Sequence, residues 1–428
     1  MIEKQKFIAT PMGNMPFDWE KYTLSELSEF ITKGATPTTY GFKWQDSGIT
    51  FLRSECVSEL GYSESGVAFI SKEAHDAMER SKIKGGDILI SITGNVGRIA
   101  VYPLDKTEGN INQHIARVRI IKKEIANREF IYYQLNQRNY RNYYLGIITG
   151  AAYPQLSLKQ IRETSVYLPP LKIQKRIADI LSAYDDLIEN NLKRIKLLEQ
   201  AAQNIYTEWF VNLRFPGYED TPINEETGLP EGWEYGVVSD LCEVKLGYAF
   251  KSKQWKKEGN PVIKIKNINN NTVSLNDTGF VDDEVAQNAK KYELFSGDVI
   301  IAMTGATVGK VGLIPKINKR IYLNQRVGLF RPLSDENNNI ALVFSFFLTD
   351  DSQQQVLNFA QGAAQPNISG SEIGNVKLNI ADSKILSEFN KLTKPSIDSI
   401  QTLYGQNQKL KAARDILLPR LMNRTIEV

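Results

Sequence analysis

Apolar residues recur with helical spacing over residues 172–214, a stretch that contains neither glycine nor proline. Steps of three and four residues alternate between the apolar positions, which is the pattern of a heptad seam where two helices pack side by side. The positions of this seam are Ile177, Leu181, Tyr184, Ile188, Asn191, Ile195, Leu198, Ala202, Ile205 and Trp209. The pattern predicts one long helix, and its polar member, Asn191, is interpreted as a residue that sets the register of the pairing.

A second stretch of this kind, less regular, covers residues 383–424. Its apolar positions are Phe389, Ile400, Leu403, Leu410, Leu417 and Leu421. Because proline removes a helical hydrogen bond and clashes with the preceding turn, we expect Pro395 to break or kink the early part of this helix. The pattern therefore leaves the start of the second helix open.

The segments before the two long helices contain short apolar runs bounded by Gly, Asn or Pro, which predicts strands. Strands are predicted at residues 87–92, 116–121, 298–303 and 327–331, and short helices near residues 72–80, 128–138 and 340–359. Residues 216–232 are rich in proline, glycine and acidic side chains, so they are predicted to form a solvated linker.

The two halves of the chain carry the same short motifs in the same order. The matching segments are residues 16–19 and 230–233, 48–53 and 259–264, 86–94 and 297–305, 112–113 and 324–325, and 150–154 and 362–366. The offset between the copies is nearly constant and far longer than the period of a solenoid repeat. The sequence therefore predicts two tandem copies of one domain.

The duplication and the helices together predict an α+β fold. Its parts are a β-rich domain at 1–170, a central long helix at 171–215, the linker at 216–232, a second β-rich domain at 233–382 and a distal long helix at 383–428. Because the ends of a compact domain usually lie close together, the second helix can bury its apolar stripe only by running back along the first. We expect the helices to pair as an antiparallel coiled coil that relates the domains by an approximate two-fold and fixes their separation.

Composition narrows the class of protein. Hydrophobic residues make up 42% and charged residues 24%, as in a soluble globular protein, and the formal net charge is only +3. Binding to a polyanion would therefore require basic residues sorted onto particular faces. Two cysteines and two histidines cannot by themselves form a tetrahedral zinc site or a disulfide scaffold. We see neither a signal peptide nor an apolar run long enough to span a membrane, so we expect a soluble, cytoplasmic protein.

No motif for catalysis is complete. The segment from Gly305 to Lys310 has one residue too few between its glycines for a P-loop, and Val311 follows where Ser or Thr is required. Residues 168–171 lack the amide and the aromatic side chain of a methyltransferase motif. Glu243-Val244-Lys245, with Asp220 or Asp240 upstream, could imitate a nuclease metal site, but such triplets are common and the first copy has Glu29-Phe30-Ile31 at the matching place. We interpret the chain as non-catalytic, with no metal of its own.

What recurs instead is polar chemistry suited to DNA. Lysines and loop amides commonly hold phosphates, whereas Asn and Gln recognise adenine and Arg recognises guanine. The candidate DNA-binding residues of the first copy are Lys33, Thr36, Thr38, Arg53, Thr93, Asn95, Arg98, Asn112, Gln113, His114, Tyr153 and Gln155. Those of the second copy are Lys245, Lys251, Lys253, Lys264, Lys266, Asn267, Thr304, Thr307, Lys310, Asn324, Gln325, Arg326, Gln365 and Asn367. For any one of them the alternative is a structural turn or a solvated surface, and Trp19, Trp44, Trp233 and Trp255 are interpreted as core residues.

Several segments resemble a known family. They are Leu168-Pro169-Pro170-Leu171 leading into residues 173–174, residues 181–191, residues 206–217, residues 34–37, and the paired Thr-Gly and Asn-Gln motifs. In these segments the chain resembles the specificity subunit of a Type I restriction–modification system, over nearly its full length. The second copy departs from the pattern where residues 380–382 replace the Pro-Pro turn.

The resemblance implies that each β-rich domain is a target recognition domain for one part of a bipartite site in double-stranded DNA. It also implies that the helices recruit two methyltransferase (modification) subunits and that restriction subunits join them. S-adenosylmethionine, ATP and Mg²⁺ are then expected on the partner subunits and no cofactor on this chain. The alternatives are a stand-alone nuclease or methyltransferase, which metal-dependent cleavage by the pure chain would support, and a structural scaffold, which salt-sensitive DNA binding would exclude.

Overall fold

The computed structural model describes residues 7–59, 61–148, 154–334, 338–360 and 366–428. The chain forms two compact units. Unit 1 comprises Met1–Asp186 and Lys411–Val428, and unit 2 comprises Leu187–Leu410. Both boundaries between the units lie inside a long helix, since the helices Leu171–Tyr206 and Ser383–Met422 each contribute residues to both units.

Unit 1 is built mainly from short strands. Its strands are β1 (Phe7–Thr10), β2 (Gly13–Pro16), β3 (Glu20–Thr23), β4 (Thr32–Lys33), β5 (Ile49–Leu52), β6 (Val57–Ser58), β7 (Gly61–Tyr62), β8 (Val67–Ile70), β9 (Lys82–Ile83), β10 (Ile88–Ser91), β11 (Ile99–Val101), β12 (Gly109–Ile111), β13 (Ile115–Val118) and β14 (Ser165–Leu168). Its helices are α1 (Leu24–Leu27), α2 (Lys72–Ala77), α3 (Arg128–Leu135), α4 (Arg138–Ile148), α5 (Leu158–Arg162) and the first part of α6 (Leu171–Tyr206).

Two four-stranded sheets form the centre of unit 1. One has the order β11-β10-β13-β4, and its inner strands β10 and β13, in which only Ser91 and Arg117 are polar, are buried at every position. The other has the order β8-β5-β12-β9, and within it β5 and β12 run parallel. Because parallel strands end at the same edge of a sheet, the residues that follow β5 and β12 emerge side by side.

Unit 2 repeats this construction. Its strands are β15 (Glu234–Val237), β16 (Cys242–Leu246), β17 (Asn260–Ile263), β18 (Ile268–Asn269), β19 (Thr272–Val273), β20 (Gly279–Val281), β21 (Glu293–Leu294), β22 (Val299–Ala302), β23 (Val311–Leu313), β24 (Ile321–Leu323), β25 (Val327–Pro332) and β26 (Lys377–Ile380). Its helices are the rest of α6, α7 (Val238–Leu241), α8 (Asp283–Asn288), α9 (Ile340–Phe347), α10 (Asp350–Phe359), α11 (Gly370–Gly374) and most of α12 (Ser383–Met422).

The sheets of unit 2 match those of unit 1 strand for strand at the centre. The order β20-β17-β24-β21 corresponds to β8-β5-β12-β9, with β17 and β24 parallel as β5 and β12 are. A six-stranded sheet, β16-β25-β22-β23-β19-β18, contains the counterpart of the other sheet and adds a hairpin. The predicted duplication is therefore confirmed at the level of topology.

The long helices pack against each other in opposite directions. Within unit 2, Asn191 of α6 donates a hydrogen bond of 2.9 Å to Asn407 of α12, and Trp209, just after α6, packs edge-on against Phe389 with ring centres 5.7 Å apart. Within unit 1, Leu181 shares a core with Leu418. Residue numbers rise along one helix as they fall along the other, which confirms the antiparallel pairing.

The seam positions of both helices are all buried or half-buried. The buried ones are Ile177, Leu181, Ile188, Asn191, Ile195, Ala202, Trp209, Phe389, Ile400, Leu403 and Leu421, and the half-buried ones are Tyr184, Leu198, Ile205, Leu410 and Leu417.

The expectation that Pro395 breaks the distal helix is wrong, because α12 runs from Ser383 to Met422 without interruption. Pro395 lies on the exposed side of the helix, as does Lys391, whose carbonyl loses its helical donor. Water can bond a carbonyl there, so the missing hydrogen bond costs less than it would in the buried seam.

Two smaller predictions also change. Residues 340–359 form two helices, α9 and α10, because Thr349 caps the second by accepting a hydrogen bond from the amide of Ser352. Trp44 is not a core residue: its side chain is 43% exposed and packs edge-on against Phe51, whereas Trp19 and Trp233 are buried. Within the described residues, no helix has the length and apolar character needed to cross a bilayer.

Candidate nucleic-acid interface

The parallel strands of unit 1 place two predicted polar segments next to each other. Leu52 of β5 pairs with Ile111 of β12, and the amide of Asn112 donates a hydrogen bond of 3.0 Å to the carbonyl of Leu52. Arg53 therefore leaves one strand end as the segment 112–114 leaves the other. The Arg53 side chain is exposed, and its Nε donates a hydrogen bond of 3.0 Å to the carbonyl of Gly66.

The loop after β4 packs onto the same strand end. A Cβ atom on Gly34 would lie 1.7 Å from the carbonyl oxygen of Ile111, so only glycine fits at this close approach. Lys33, the last residue of β4, and Thr38 of this loop are exposed, and Thr36 is half-buried. The glycine thus brings a basic, hydroxyl-bearing loop against the Asn-Gln segment.

Four side chains of unit 1 form a continuous polar chain. The hydroxyl of Thr36 donates a hydrogen bond of 2.6 Å to Oε1 of Gln113, and Nε2 of Gln113 lies 3.0 Å from Nε2 of His114. Nδ1 of His114 lies 2.6 Å from the hydroxyl of Thr93. Asn112 supports the turn from inside, since its Oδ1 accepts a hydrogen bond of 3.0 Å from the amide of His114.

A further segment closes one side of this cluster. Gln155 forms a β-bridge with Thr93, and the amide of Leu156 donates a hydrogen bond of 3.0 Å to the carbonyl of Ile92. Asn95 is exposed in the turn after Thr93, and Arg98 donates a hydrogen bond of 3.2 Å to Glu59.

Unit 2 has the same layout. The amide of Asn324 donates a hydrogen bond of 3.1 Å to the carbonyl of Ile263, so Lys264 and the segment 324–326 emerge together. A Cβ on Gly247 would lie 2.3 Å from the carbonyl oxygen of Asn324, which repeats the close approach made by Gly34. Asn367 bridges Thr304 as Gln155 bridges Thr93. We call these two matching sets of residues the strand-end clusters.

A cavity of about 510 Å³ lies at the strand-end cluster of unit 2. The residues that line it include Gly247, Thr304, Gln325, Arg326 and Asn367. Gln325 and Arg326 are exposed, and the buried hydroxyl of Thr304 has no hydrogen-bond partner among the described residues. The cavity thus presents an exposed amide and an exposed guanidinium, with the unpaired hydroxyl of Thr304 buried beneath its surface.

Three lysines of unit 2 that were predicted to bind DNA differ in their surroundings. The ammonium of Lys264 lies 3.5 Å from the ring centre of Trp255, and burial, together with the neighbouring charge of Lys266, lowers the pKa of Lys264. Lys266 forms an ion pair of 2.9 Å with Asp277, and Lys245 one of 3.1 Å with Glu243. An incoming phosphate would compete with these exposed carboxylates.

The predicted DNA-binding residues differ in how far they are exposed. The exposed ones are Lys33, Thr38, Arg53, Asn95, Lys245, Lys251, Lys253, Lys266, Lys310, Gln325, Arg326 and Asn367, and the half-buried ones are Thr36, Arg98, Gln113, His114, Gln155, Lys264, Thr304, Thr307 and Asn324. Thr93, Asn112 and Asn267 are buried. Tyr153 and Gln365 lie outside the described residues.

Burial changes the interpretation of two amides. Asn267 is only 2% exposed, and its side chain accepts from the amide of Lys264 at 3.0 Å and donates to the carbonyl of Asn276 at 3.1 Å. Asn112 is 8% exposed and bonded within its own turn. Both side chains therefore hold the backbone at the strand ends by hydrogen bonds and do not face a ligand.

A groove beside Lys33 was not predicted from the sequence. It is lined by Phe30, Tyr40, Arg80 and Arg162, and the guanidinium of Arg162 lies 4.7 Å from the ring centre of Phe30. Nη2 of Arg162 donates a hydrogen bond of 2.9 Å to the carbonyl of Ile31. Arg162 is far from this loop in sequence, and the second copy does not repeat Phe30, so the repeat carried no signal for it.

Comparison with known proteins adds three findings. The family model described as the Type I restriction modification DNA specificity domain matches residues 16–200 and 230–406. The Type I restriction enzyme MjaIX specificity subunit of Methanocaldococcus jannaschii is 24% identical, over 97% of this chain and 95% of that protein. The Type I restriction enzyme HindI specificity subunit of Haemophilus influenzae is 20% identical, over 95% of this chain and 99% of that protein.

A solved structure supports the fold. The crystal structure of the S subunit of a Type I restriction–modification system from M. genitalium aligns with a TM-score of 0.55. The alignment covers 96% of this chain and 99% of that one at 15% sequence identity.

Proposed function

This chain belongs to the Type I restriction modification DNA specificity family, and from that premise we propose that it recognises a bipartite site in double-stranded DNA, one part with each unit. The observation that carries the proposal is the repetition of the strand-end cluster. In both units a basic residue and an Asn-Gln segment emerge side by side from parallel strands, Arg53 with Asn112 and Lys264 with Asn324.

The cluster combines the two kinds of group that specific DNA binding requires. Exposed cations such as Lys33, Arg53 and Lys251 are suited to phosphates, which position a protein without specifying sequence. The side chains of Gln113, Gln325 and Arg326 are suited to base edges in the major groove. The chemistry of the clusters therefore fits a DNA ligand better than a small anion.

We further propose that the chain works without catalysis of its own, as the specificity subunit of a larger complex in the cytoplasm, where the DNA lies. Two methyltransferase subunits and the restriction subunits would supply the reactions and would carry S-adenosylmethionine, ATP and Mg²⁺. The names of the relatives support this assignment. In the described part of the chain, no cluster of three or more His, Cys, Asp or Glu side chains has the arrangement of a metal site.

The test compares the pure chain with the chain co-expressed with the products of neighbouring genes. We expect the pure chain to bind DNA in a salt-sensitive way without methylating or cleaving it. The co-expressed complex should modify sites of two fixed parts and a spacer, mapped by methylation-sensitive sequencing. Turnover by the pure chain with S-adenosylmethionine or Mg²⁺ would refute the assignment.

Variants of one unit test the division of the site. Gln325→Ala or Arg326→Ala should relax one position in the part recognised by unit 2, at a cost of roughly 1–3 kcal/mol for a lost bidentate base contact. Lys264→Ala, if it removes a phosphate contact, should weaken binding to all sequences and lower the salt slope. Lys319→Ala is the control, because this exposed lysine precedes β24 at the opposite end from Asn324. Equal changes in both parts would contradict the division.

A further inference from the structure

The two Asn-Gln segments differ in how their glutamine is held. In unit 2 the side chain of Gln325 is exposed and has no hydrogen-bond partner among the described residues. In unit 1 the amide of Gln113 is bonded at both ends, to Thr36 at 2.6 Å and to His114 at 3.0 Å. Its conformation is therefore fixed before any ligand arrives.

Counting donors and acceptors shows what this amide still offers. A glutamine amide has two N–H donors and two oxygen lone pairs. Thr36 uses one lone pair and His114 one N–H, so one donor and one acceptor stay free on the half-buried side chain. If the amide were turned over, Thr36 would accept, His114 would donate, and the same free pair would remain.

His114 and Thr93, the other side chains of this hydrogen-bonded series, also use their polar groups within it. When Nε2 of His114 accepts from Gln113, its Nδ1–H donates to the hydroxyl of Thr93 at 2.6 Å. Thr93 is buried, and its backbone is held by the bridge to Gln155. His114 thus has both ring nitrogens occupied and is not available as a base contact.

We propose that Gln113 recognises the major-groove edge of an adenine in the part of the site bound by unit 1, with Thr36, His114 and Thr93 as positioning residues. Adenine presents N6–H as donor and N7 as acceptor, which matches the free acceptor and donor of the amide. Guanine presents two acceptors and does not match. This inference rests on the proposed function and specifies the chemistry of one of its sites.

The experiment uses the full chain with its co-expressed partners and a library of duplexes randomised in both parts of the site. For the wild type we expect one A·T position in the unit 1 part at which adenine is strongly preferred. Gln113→Ala should lower that preference roughly 5- to 150-fold, which corresponds to about 1–3 kcal/mol, and leave the other positions unchanged. Gln325→Ala is the matched control, since it should leave the unit 1 part intact.

A second measurement changes an atom of the DNA. Replacing the preferred adenine by 7-deaza-adenine removes only the N7 acceptor, so wild-type binding should weaken while the Gln113→Ala variant should not distinguish the two bases. For the positioning residues, Thr36→Val should lower the adenine preference roughly fivefold at the same position, and Thr36→Ser, which keeps the hydroxyl, should restore it.

The outcomes separate this inference from the function on which it rests. If the wild-type complex enriches no bipartite sequence, the proposed function fails. If it enriches one but the unit 1 part contains only G·C pairs, or if 7-deaza-adenine and Gln113→Ala change nothing, the assignment of Gln113 is wrong and the proposed function stands. A Thr36→Val variant that weakens all sequences equally would show a structural role for Thr36.

Discussion

Glu199 of α6 is a carboxylate held inside unit 2. Asn271 donates a hydrogen bond of 3.2 Å to its Oε2, and the hydroxyl of Tyr404 lies 3.3 Å from its Oε1 and donates to the carbonyl of Asn270 at 2.7 Å. Burial raises the pKa of Glu199 to about 6, although the hydrogen bond from Asn271 favours the ionised form. Glu199 therefore links the long helices to the hairpin of β18 and β19, although its burial disfavours the ionised form of the carboxylate.

Glu199 should make unit 2 less stable as pH rises. Its folded pKa lies above its ordinary value, so its favourable contribution is complete below about pH 4.5 and is lost as pH rises through about 6. The difference is about 2 kcal/mol, at about 1.4 kcal/mol per pKa unit. Glu199→Gln keeps the hydrogen bonds without the charge, so it should be more stable than the wild type at pH 7.5 and similar at pH 4.5.

Urea unfolding of the full chain at several pH values measures this difference. Glu189→Gln serves as the control, because Glu189 lies on the same helix in solvent and pairs with Lys193 at 2.7 Å. If the stabilities of the wild type and of Glu199→Gln fall in parallel between pH 4.5 and 7.5, the buried carboxylate is not the cause.

Gly34 tests the close approach at the strand-end cluster. An alanine there would place its Cβ against the carbonyl of Ile111, so we expect Gly34→Ala to destabilise unit 1 by about 1–3 kcal/mol and to weaken DNA binding. Gly146 is the matched control: it lies in α4, and a Cβ there meets nothing within 4 Å. Gly146→Ala should be neutral or stabilise by about 0.5–1 kcal/mol, as measured by thermal unfolding. Equal effects of the two substitutions would refute the steric argument.

At the residue scale, sequence could predict which segments carry the polar chemistry but not how each side chain is used. The repeated Asn-Gln motif identifies Gln113 and Gln325 alike. Only the fold brings Thr36 onto Gln113 and buries Asn112, because these contacts join segments that are far apart in sequence. The difference between a bonded and a free glutamine has no local sequence signal.

At the scale of the elements, the long helices meet at a buried pair of amides. Asn191 is 7% and Asn407 3% exposed, and Nδ2 of Asn407 also lies 3.4 Å from the carbonyl of Ile188. Amides paired in an apolar seam are satisfied only in one axial alignment, so they specify register at some cost in stability.

A double-mutant cycle tests this pair. Asn191→Leu alone should destabilise unit 2 by about 1–3 kcal/mol, because it leaves the buried amide of Asn407 without its partner. Replacing both residues by Leu should destabilise unit 2 by less than the sum of the two single substitutions, because neither amide is then left buried without its partner. The helices should also be held less strictly to one axial alignment. Asn190→Leu, at an exposed neighbouring position, is the control and should change stability by less than about 0.5 kcal/mol. Additive single effects would show that the amides act independently.

The heptad pattern predicted these helices well because burial imposes a strict period along α6. It predicted α12 less well, because the pattern did not show that Pro395 lies on the exposed side of the helix, where the missing hydrogen bond costs less. Asn407 and Tyr404, which make hydrogen bonds to Asn191 and toward Glu199 of α6, are absent from the predicted seam. The apolar positions of the second stretch are too irregularly spaced to assign the residues between them, whereas the regular seam of α6 identified Asn191.

At the scale of the whole molecule, the chain passes between the units inside its helices. The two boundaries follow Asp186 in α6 and Leu410 in α12. A heptad inserted at each boundary leaves every contact within either unit unchanged and lengthens each helix by about 10 Å. At a rise of roughly 3.4 Å per base pair, we expect the spacer of the DNA site to lengthen by about three base pairs.

Genome-wide mapping of modified sites, with the variant co-expressed with its partners, measures the spacer. Inserting seven residues in the linker at Thr227, outside the helices, is the control and should leave the spacer unchanged. A folded, active variant of the helices with the original spacer would mean that something else sets the distance.

The division of unit 1 into two separate stretches of chain has a consequence for biosynthesis. Ile177 and Leu181 complete their core with Leu418, Leu421 and Met422, which the ribosome adds only after the whole of unit 2. Unit 2 is one continuous stretch and can fold while translation proceeds, whereas unit 1, begun first, is finished last. During that interval its apolar helix surface stays uncovered, so a nascent chain halted before Lys411 would be a substrate for chaperones and proteases.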